Sequence, residues 1–241
     1  MNLASLPARL ALAPVLLAQG LMVRARAQRL PEPPGPRSGS AGAGPPLRLL
    51  IAGDSSAAGV GCADQAQALS GQLVVRLAAR HRLAWRLEAA TGATTADIIA
   101  RLAALPPEPF DAAVIALGVN DTTRMRPRAR WESDIAALHA LLQTRFGIAV
   151  TLWSGVPPMG RFPLLPNPLR ATLGALAARN DASLARIAAT TSGLCHLPLD
   201  LPLTPDLMAS DGYHPNAAAC ALWADRLATA LATALSAPAS P

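Results

Sequence analysis

The sequence predicts an α/β fold, with a parallel sheet carrying helices on both faces, and two features carry that expectation. From Leu47 onward, short apolar runs alternate with longer runs of helical spacing. The helical runs also end at helix-stopping residues, Pro106-Pro107 after one and Gly147 after another. Crossovers between the strands are expected to be right-handed.

Taken in order, Leu47–Ala52 predicts the first strand, Ala68–Arg80 a helix and Trp85–Ala90 the second strand. Thr95–Leu105 predicts a helix, Ala112–Leu117 a buried third strand, and Trp131–Phe146 a further helix. Ile148–Trp153 predicts the fourth strand, Leu169–Thr190 a long Ala-rich helix, and Leu194–Leu197 a short fifth strand. Asn216–Leu235 predicts the closing helix, with Pro215 suited to its first turn. No segment repeats at a fixed period.

The residues ahead of this unit differ in kind, and the expected division is 1–30, 31–46 and 47–241. Residues 10–23 form an apolar stretch of 14, broken by Pro14, Gln19 and Gly20. As a helix it would span about 21 Å, short of a hydrocarbon core of about 30 Å. Arg24, Arg26 and Arg29 follow it and only Arg9 precedes it, whereas a secretory signal places positive charge first. Ala25-Arg26-Ala27 nonetheless resembles a small-residue cleavage site. The sequence leaves open a membrane-associated helix, a signal-like segment, an organelle transit peptide, and a helix packed on the domain or a disordered tail. Location therefore stays open among membrane-associated, exported and cytoplasmic. Residues 31–46 hold six prolines and four glycines and are expected to be a linker.

With 241 residues the chain can bury one full domain and an appendage. All 21 basic residues are arginine, and the net charge is +6. Residues 1–50 contribute six arginines against one acid, while residues 51–241 hold 15 against 14. The near-neutral globular part argues against a nucleic-acid partner. Cys62, Cys195 and Cys220 are odd in number and widely spaced, which argues against a disulfide framework or a cysteine metal site. His81, His139, His196 and His214 lack metal-ligand spacing, so no metal is expected.

Ligands of such sheets bind beyond the carboxyl ends of the strands, where strand order reverses. For the order 2-1-3-4-5 that point lies between the first and third strands. Gly53-Asp54-Ser55-Ser56 follows the first strand, Thr91-Gly92 the second, and Gly118-Val119-Asn120-Asp121 the third. Asp211-Gly212-Tyr213-His214-Pro215 follows the fifth, on the loop into the last helix. All four segments are thereby expected on one rim. Each alone is an ordinary turn composition; together, in this order, they read as a site.

A serine hydroxyl is a weak nucleophile until a base takes its proton. His214 is the candidate base for Ser55. Asp211, across a turn that Gly212 eases, can reach the far ring nitrogen and orient it. The oxyanion formed on attack needs donors placed in advance. The N–H groups of Ser55 and Gly92 and the side-chain amide of Asn120 are the candidates. Asp54 and Asp121 are expected to hold the loops that carry Ser55 and Asn120.

These four segments resemble the sequence blocks of the SGNH hydrolases, also called the GDSL esterase/lipase family, over residues 47–235. The Gly92 block, Thr91-Gly92-Ala93-Thr94-Thr95, matches loosely. The resemblance implies a flavodoxin-like three-layer sandwich and ester hydrolysis through an acyl-enzyme, with neither metal nor organic cofactor. It implies Ser55 as nucleophile, His214 and Asp211 as its partners, and Ser55, Gly92 and Asn120 as oxyanion donors. The expected partner is a small-molecule or lipid ester. Alternatives are an acyltransferase or thioesterase with the same residues, or a non-catalytic binding module on the same fold. Arg124, Arg126, Arg128 and Arg130 are expected to be a solvated basic loop or an anion attractor. The apolar segment 155–169 is expected to wall an acyl pocket, act as a lid, or pack under the loop.

Overall fold

The computed structural model describes residues 6–26, 28–202 and 204–236. Ala27, the last residue of the A-x-A-like site, lies outside the described residues. One sheet forms the centre, built from β1 (Ser38–Ala41), β2 (Pro46–Gly53), β3 (Arg82–Ala89), β4 (Ala112–Ala116), β5 (Val150–Ser154) and β6 (Leu194–Leu197). Their order is β1-β3-β2-β4-β5-β6. All neighbours are parallel except β1, which runs antiparallel to β3.

The five-stranded, all-parallel sheet expected from the sequence is therefore corrected to a six-stranded mixed one. The extra strand lies inside the stretch read as a linker. Ser38-Gly39-Ser40-Ala41 is small, polar and largely exposed, so it carries no apolar periodicity. Backbone pairing holds it to β3, from Ser38 opposite Arg86 to Ala41 opposite Leu83. Upstream, Glu32 accepts hydrogen bonds from Thr91 N and Oγ1, both at 2.8 Å, and pairs with Arg37. Residues 32–41 thus cap the sheet edge that would otherwise be unpaired.

Alternation along the strands splits the core in two. Leu50, Ala52, Ala113 and Ile115 face one layer, where they meet α4 (Thr95–Ala103), α6 (Arg128–Phe146) and α7 (Leu169–Ala188). Leu49, Ile51 and Val114 face the other, against α3 (Leu69–Ala78) and α8 (Ala217–Ser236). Trp131 and Trp153 meet edge to face at 6.0 Å in the first layer. Among the described residues only α8 is long and apolar enough to cross a membrane, and Cys220, Trp223, Ala224, Leu227 and Leu231 bury one side of it in the core.

The register brings the ends of the strands to one level. Gly53 pairs with both Ala89 and Ala116, and Ala116 pairs with Ser154. The loops after β2, β3, β4 and β5 therefore leave together. Helix α1 (Leu6–Arg26) runs through Pro14 and extends well beyond the apolar stretch 10–23. It packs beside the start of α7. The Gln19 side chain donates to the Asn167 carbonyl at 2.7 Å and accepts from Leu169 N at 3.0 Å. Val23 packs on the first core layer.

Candidate active site

Asp54 turns the chain out of β2. Its carboxylate accepts from Ser56 N at 3.0 Å and Ser56 Oγ at 2.8 Å, which starts the short helix α2 (Ser55–Ala58). Burial pushes the Asp54 carboxyl upward in pKa, against the lowering effect of the Ser56 bonds. Ser55, 8% exposed, begins this helix at the strand end.

His214 arrives from the opposite end of the chain. Its Nε2 lies 2.8 Å from Ser55 Oγ, and its Nδ1 lies 2.6 Å from Asp211 Oδ2. The other carboxylate oxygen of Asp211 accepts from Tyr213 N at 2.9 Å and His214 N at 3.0 Å. Burial opposes the Asp211 charge, but the bonds from the His214 ring and these two N–H groups prevail and hold its carboxyl below the ordinary value. Gly212 takes φ +63°, which closes the turn between Asp211 and His214. With Nδ1–H committed to a carboxylate, Nε2 is left as an acceptor facing the serine hydroxyl.

A glycine that sequence reasoning passed over lets the two segments meet. Gly61 holds φ +102°, and a Cβ there would sit 2.5 Å from the Pro215 carbonyl and 3.3 Å from His214 Cβ. The sign available in advance was the pair Gly59 and Gly61 just after the serine. Tyr213 then packs edge-on against the His214 ring at 5.2 Å and against Phe162 at 5.1 Å.

Asn120 sits in α5 (Val119–Thr123), behind Gly118. Gly118 has φ +126°, and a Cβ there would meet Val156 Cγ2 at 2.6 Å. The Asn120 amide donates to the Ala93 carbonyl at 3.0 Å and reaches Asp54 Oδ2 at 3.5 Å. Asp121 is fully buried and accepts from Thr95 N and Oγ1, both at 3.0 Å. Burial pushes its carboxyl upward in pKa, with the Thr95 bonds opposing.

Gly92 takes φ +79°, and a Cβ there would meet nothing within 4 Å. It shares a cavity wall with Asn120 and His214, and its carbonyl accepts from Arg124 at 2.9 Å. The structure therefore links Ser55, His214 and Asp211 directly and ties Asn120 to the residue before the serine. It places Gly92 beside them without a hydrogen bond to any of the four.

Of the four clustered arginines, three are occupied on α6. Arg126 lies 2.5 Å from Asp134, Arg128 2.8 Å from Glu132, and Arg130 3.6 Å from Asp134. Arg124 instead borders the cavity that contains Gly92. His139 is buried against Thr151 and Ser192, and His196 pairs with Asp181 at 2.9 Å, away from Ser55. In segment 155–169, Met159, Phe162 and Leu165 are buried while Leu164 lines the same cavity. A smaller apolar cavity of about 70 Å³ opens on Ser55 and His214, walled by Phe162, Leu199 and Trp223. Among the described residues no three His, Cys, Asp or Glu side chains cluster to hold a metal ion.

A serine, an imidazole and a carboxylate are thus bonded in series at the carboxyl edge of the sheet, an arrangement in which the ring can take the serine proton. Residues 51–222 match the GDSL-like Lipase/Acylhydrolase family, and the chain belongs to it. A GDSL-like esterase of Mycobacterium tuberculosis is 34% identical over 206 residues, covering 78% of this chain. The aligned region spans 63% of that relative's length. The psychrotrophic esterase EstA from Pseudoalteromonas sp. aligns over 79% of this chain and 100% of its own, with TM-score 0.61 and 23% identity. A carbohydrate esterase family 2 enzyme from Corynascus thermopiles aligns over 84% and 68%, with TM-score 0.61 and 20% identity. At these identities the two structural likenesses are of fold alone.

Proposed function

We propose that this chain is a carboxylic ester hydrolase working through an acyl group on Ser55. The observation that carries the reading is the His214 ring, bonded to Ser55 Oγ on one side and to Asp211 on the other.

In the first half-reaction Ser55 Oγ attacks the ester carbonyl carbon, and its proton passes to His214 Nε2. The carbonyl electron pair moves onto oxygen. The N–H groups of Ser55 and Gly92 and the Asn120 amide hold that charge. One amide hydrogen of Asn120 is committed to Ala93; the other, on the long 3.5 Å contact to Asp54, is the one able to turn to an oxyanion. The intermediate collapses, the C–O bond to the alcohol breaks, and His214 returns its proton to the departing oxygen. Water then attacks the acyl-Ser55 carbonyl by the same route and releases the acid. Asp211 stays ionised and stabilises the imidazolium formed in each half.

Two apolar cavities meet His214, the smaller also lined by Ser55, and they support a substrate with hydrocarbon on the acyl or alcohol side. The test is active-site labelling with a fluorophosphonate, alongside turnover of p-nitrophenyl acetate. The expected result is one label, lost in Ser55→Ala together with turnover, while the melting temperature is unchanged. A label that persists in Ser55→Ala would overturn the reading.

A further inference from the structure

The larger cavity, roughly 750 Å³, has two walls of different origin. Leu164, Leu165, Leu169 and Leu173 form one, from the segment after β5 and the start of α7. Helix α1 forms the other, through Leu16, Leu17, Gly20, Leu21 and Val23. Gly92, Asn120 and His214 lie at its reactive end. No residue of α1 falls within the span 51–222 matched by the family.

We propose that α1 is part of the substrate site: it and the leucines of 164–173 enclose the hydrocarbon chain of a medium- to long-chain acyl ester whose carbonyl carbon lies at Ser55. This rests on the hydrolase reading and names its substrate class.

Three observations carry the inference. The wall chemistry is hydrocarbon, and polar side chains occur at the reactive end and at Arg24, Gln28, Thr123, Arg124 and Thr172. Leucine-rich walls that meet a polar reactive end suit an ester carried on a hydrocarbon chain. The volume falls within the range of about 300–1,000 Å³ for small-molecule sites, far more than an acetyl group fills. Leu17, Leu21 and Met125 line the cavity yet stand 65%, 60% and 65% exposed, which leaves apolar surface for a chain to cover.

The position of α1 is specified rather than incidental. Gln19, the polar interruption of its apolar run, is held at both ends of its amide by Asn167 and Leu169. Those residues begin the α7 side of the same cavity. Each methylene moved from water into such a site is expected to raise affinity about fourfold.

Gly20 supplies the test. Gly20 lines the cavity and a Cβ there would meet nothing within 4 Å, so a side chain can start from it without a backbone clash and take up cavity space. Replacing a helical glycine also favours the helix, so Gly20→Phe is expected to fold. Binding of 11-(dansylamino)undecanoic acid is titrated by fluorescence on Ser55→Ala protein, where no turnover intervenes. Saturable binding is expected, weakened at least tenfold by adding Gly20→Phe and less than twofold by adding Val15→Gln, on α1 but outside the cavity lining. In the otherwise native chain, Gly20→Phe should lower the ratio of kcat/KM for p-nitrophenyl decanoate over acetate at least tenfold. Absent saturable binding, or equal loss with Gly20→Phe and Val15→Gln, would overturn the inference while leaving acetate turnover to judge the hydrolase reading. The expected binding pattern in a chain that turns over no ester would overturn that reading and leave the chain-binding site standing.

Discussion

Asp211→Asn should silence the enzyme while leaving it folded. Asp211 accepts three hydrogen bonds: two backbone N–H groups on one oxygen and His214 Nδ1 on the other. An asparagine offers one oxygen and one NH2. If the oxygen faced the ring, the NH2 would confront both backbone donors. The site is 7% exposed, so water cannot substitute freely. Two unsatisfied buried donors would cost roughly 2–6 kcal/mol, at 1–3 kcal/mol each. The oxygen therefore stays on the backbone and the NH2 turns to Nδ1. Nδ1 must then accept, the proton moves to Nε2, and Nε2 faces Ser55 as a donor. The general base is lost through its tautomer. A loss of about 10⁴ in kcat is expected, as for triads disabled in this way, or about 5.4 kcal/mol of barrier. Stopped-time assays with p-nitrophenyl acetate measure it, with thermal melting as the control. A loss below tenfold, or a collapse in stability equal to that of Asp211→Ala, would refute the reasoning.

Asn120→Ala should cost about 2.7–4 kcal/mol of transition-state stabilisation, the range for one oxyanion donor; a kcat loss under tenfold would make Asn120 a loop-holding residue only. Gly61→Ala, at φ +102° and 2.5 Å from the Pro215 carbonyl, should displace the His214 turn and lower kcat by more than tenfold, with KM changing less; unchanged kcat would show that the turn absorbs a methyl group. Acid should erase part of the stability. The folded Asp211 carboxyl lies below its unfolded value, so its contribution is present above the unfolded value of about 3.9 and lost as pH falls through the folded one. The difference in unfolding free energy between the native chain and Asp211→Asn, from urea melts, should shrink between pH 5 and 3, and a constant difference would contradict this.

The parts of the fold legible in the sequence were those that bury hydrocarbon. Leu47–Ala52 and Ala112–Leu117 lie in or along β2 and β4 because their side chains, Arg48 apart, are buried on both faces, and burial leaves an apolar run. Strand β1 left no such trace. Three of its four residues are exposed, and their pairing with Arg86 to Leu83 is made by backbone groups that every residue type carries. Helices α2 and α5 were equally silent, since four or five residues hold no helical period. The Asp54 carboxylate, accepting from Ser56 N and Oγ, and a glycine at φ +126° start them instead.

The candidate site was legible for a different reason. Ser55, Asn120, Asp211 and His214 are polar residues at the ends of apolar strands or in turns beyond them, and the parallel register brings the loops after β2, β3, β4 and β5 to one rim. Position followed from the topology, and the proposed role from residue type. The close fit did not follow, because it depends on atoms that are absent. Gly61 contributes only a missing side chain, and its value appears once Pro215 and His214 are seen against it. The same holds for Gly20, in a helix whose apolar stretch alone suited an anchor as well as a wall. Hydrophobicity reports that a surface seeks cover; which surface covers it depends on Gln19 meeting Asn167 and Leu169, some 150 residues away. Pairings of that range seat α1 against α7, and a periodicity read over a dozen residues cannot contain them.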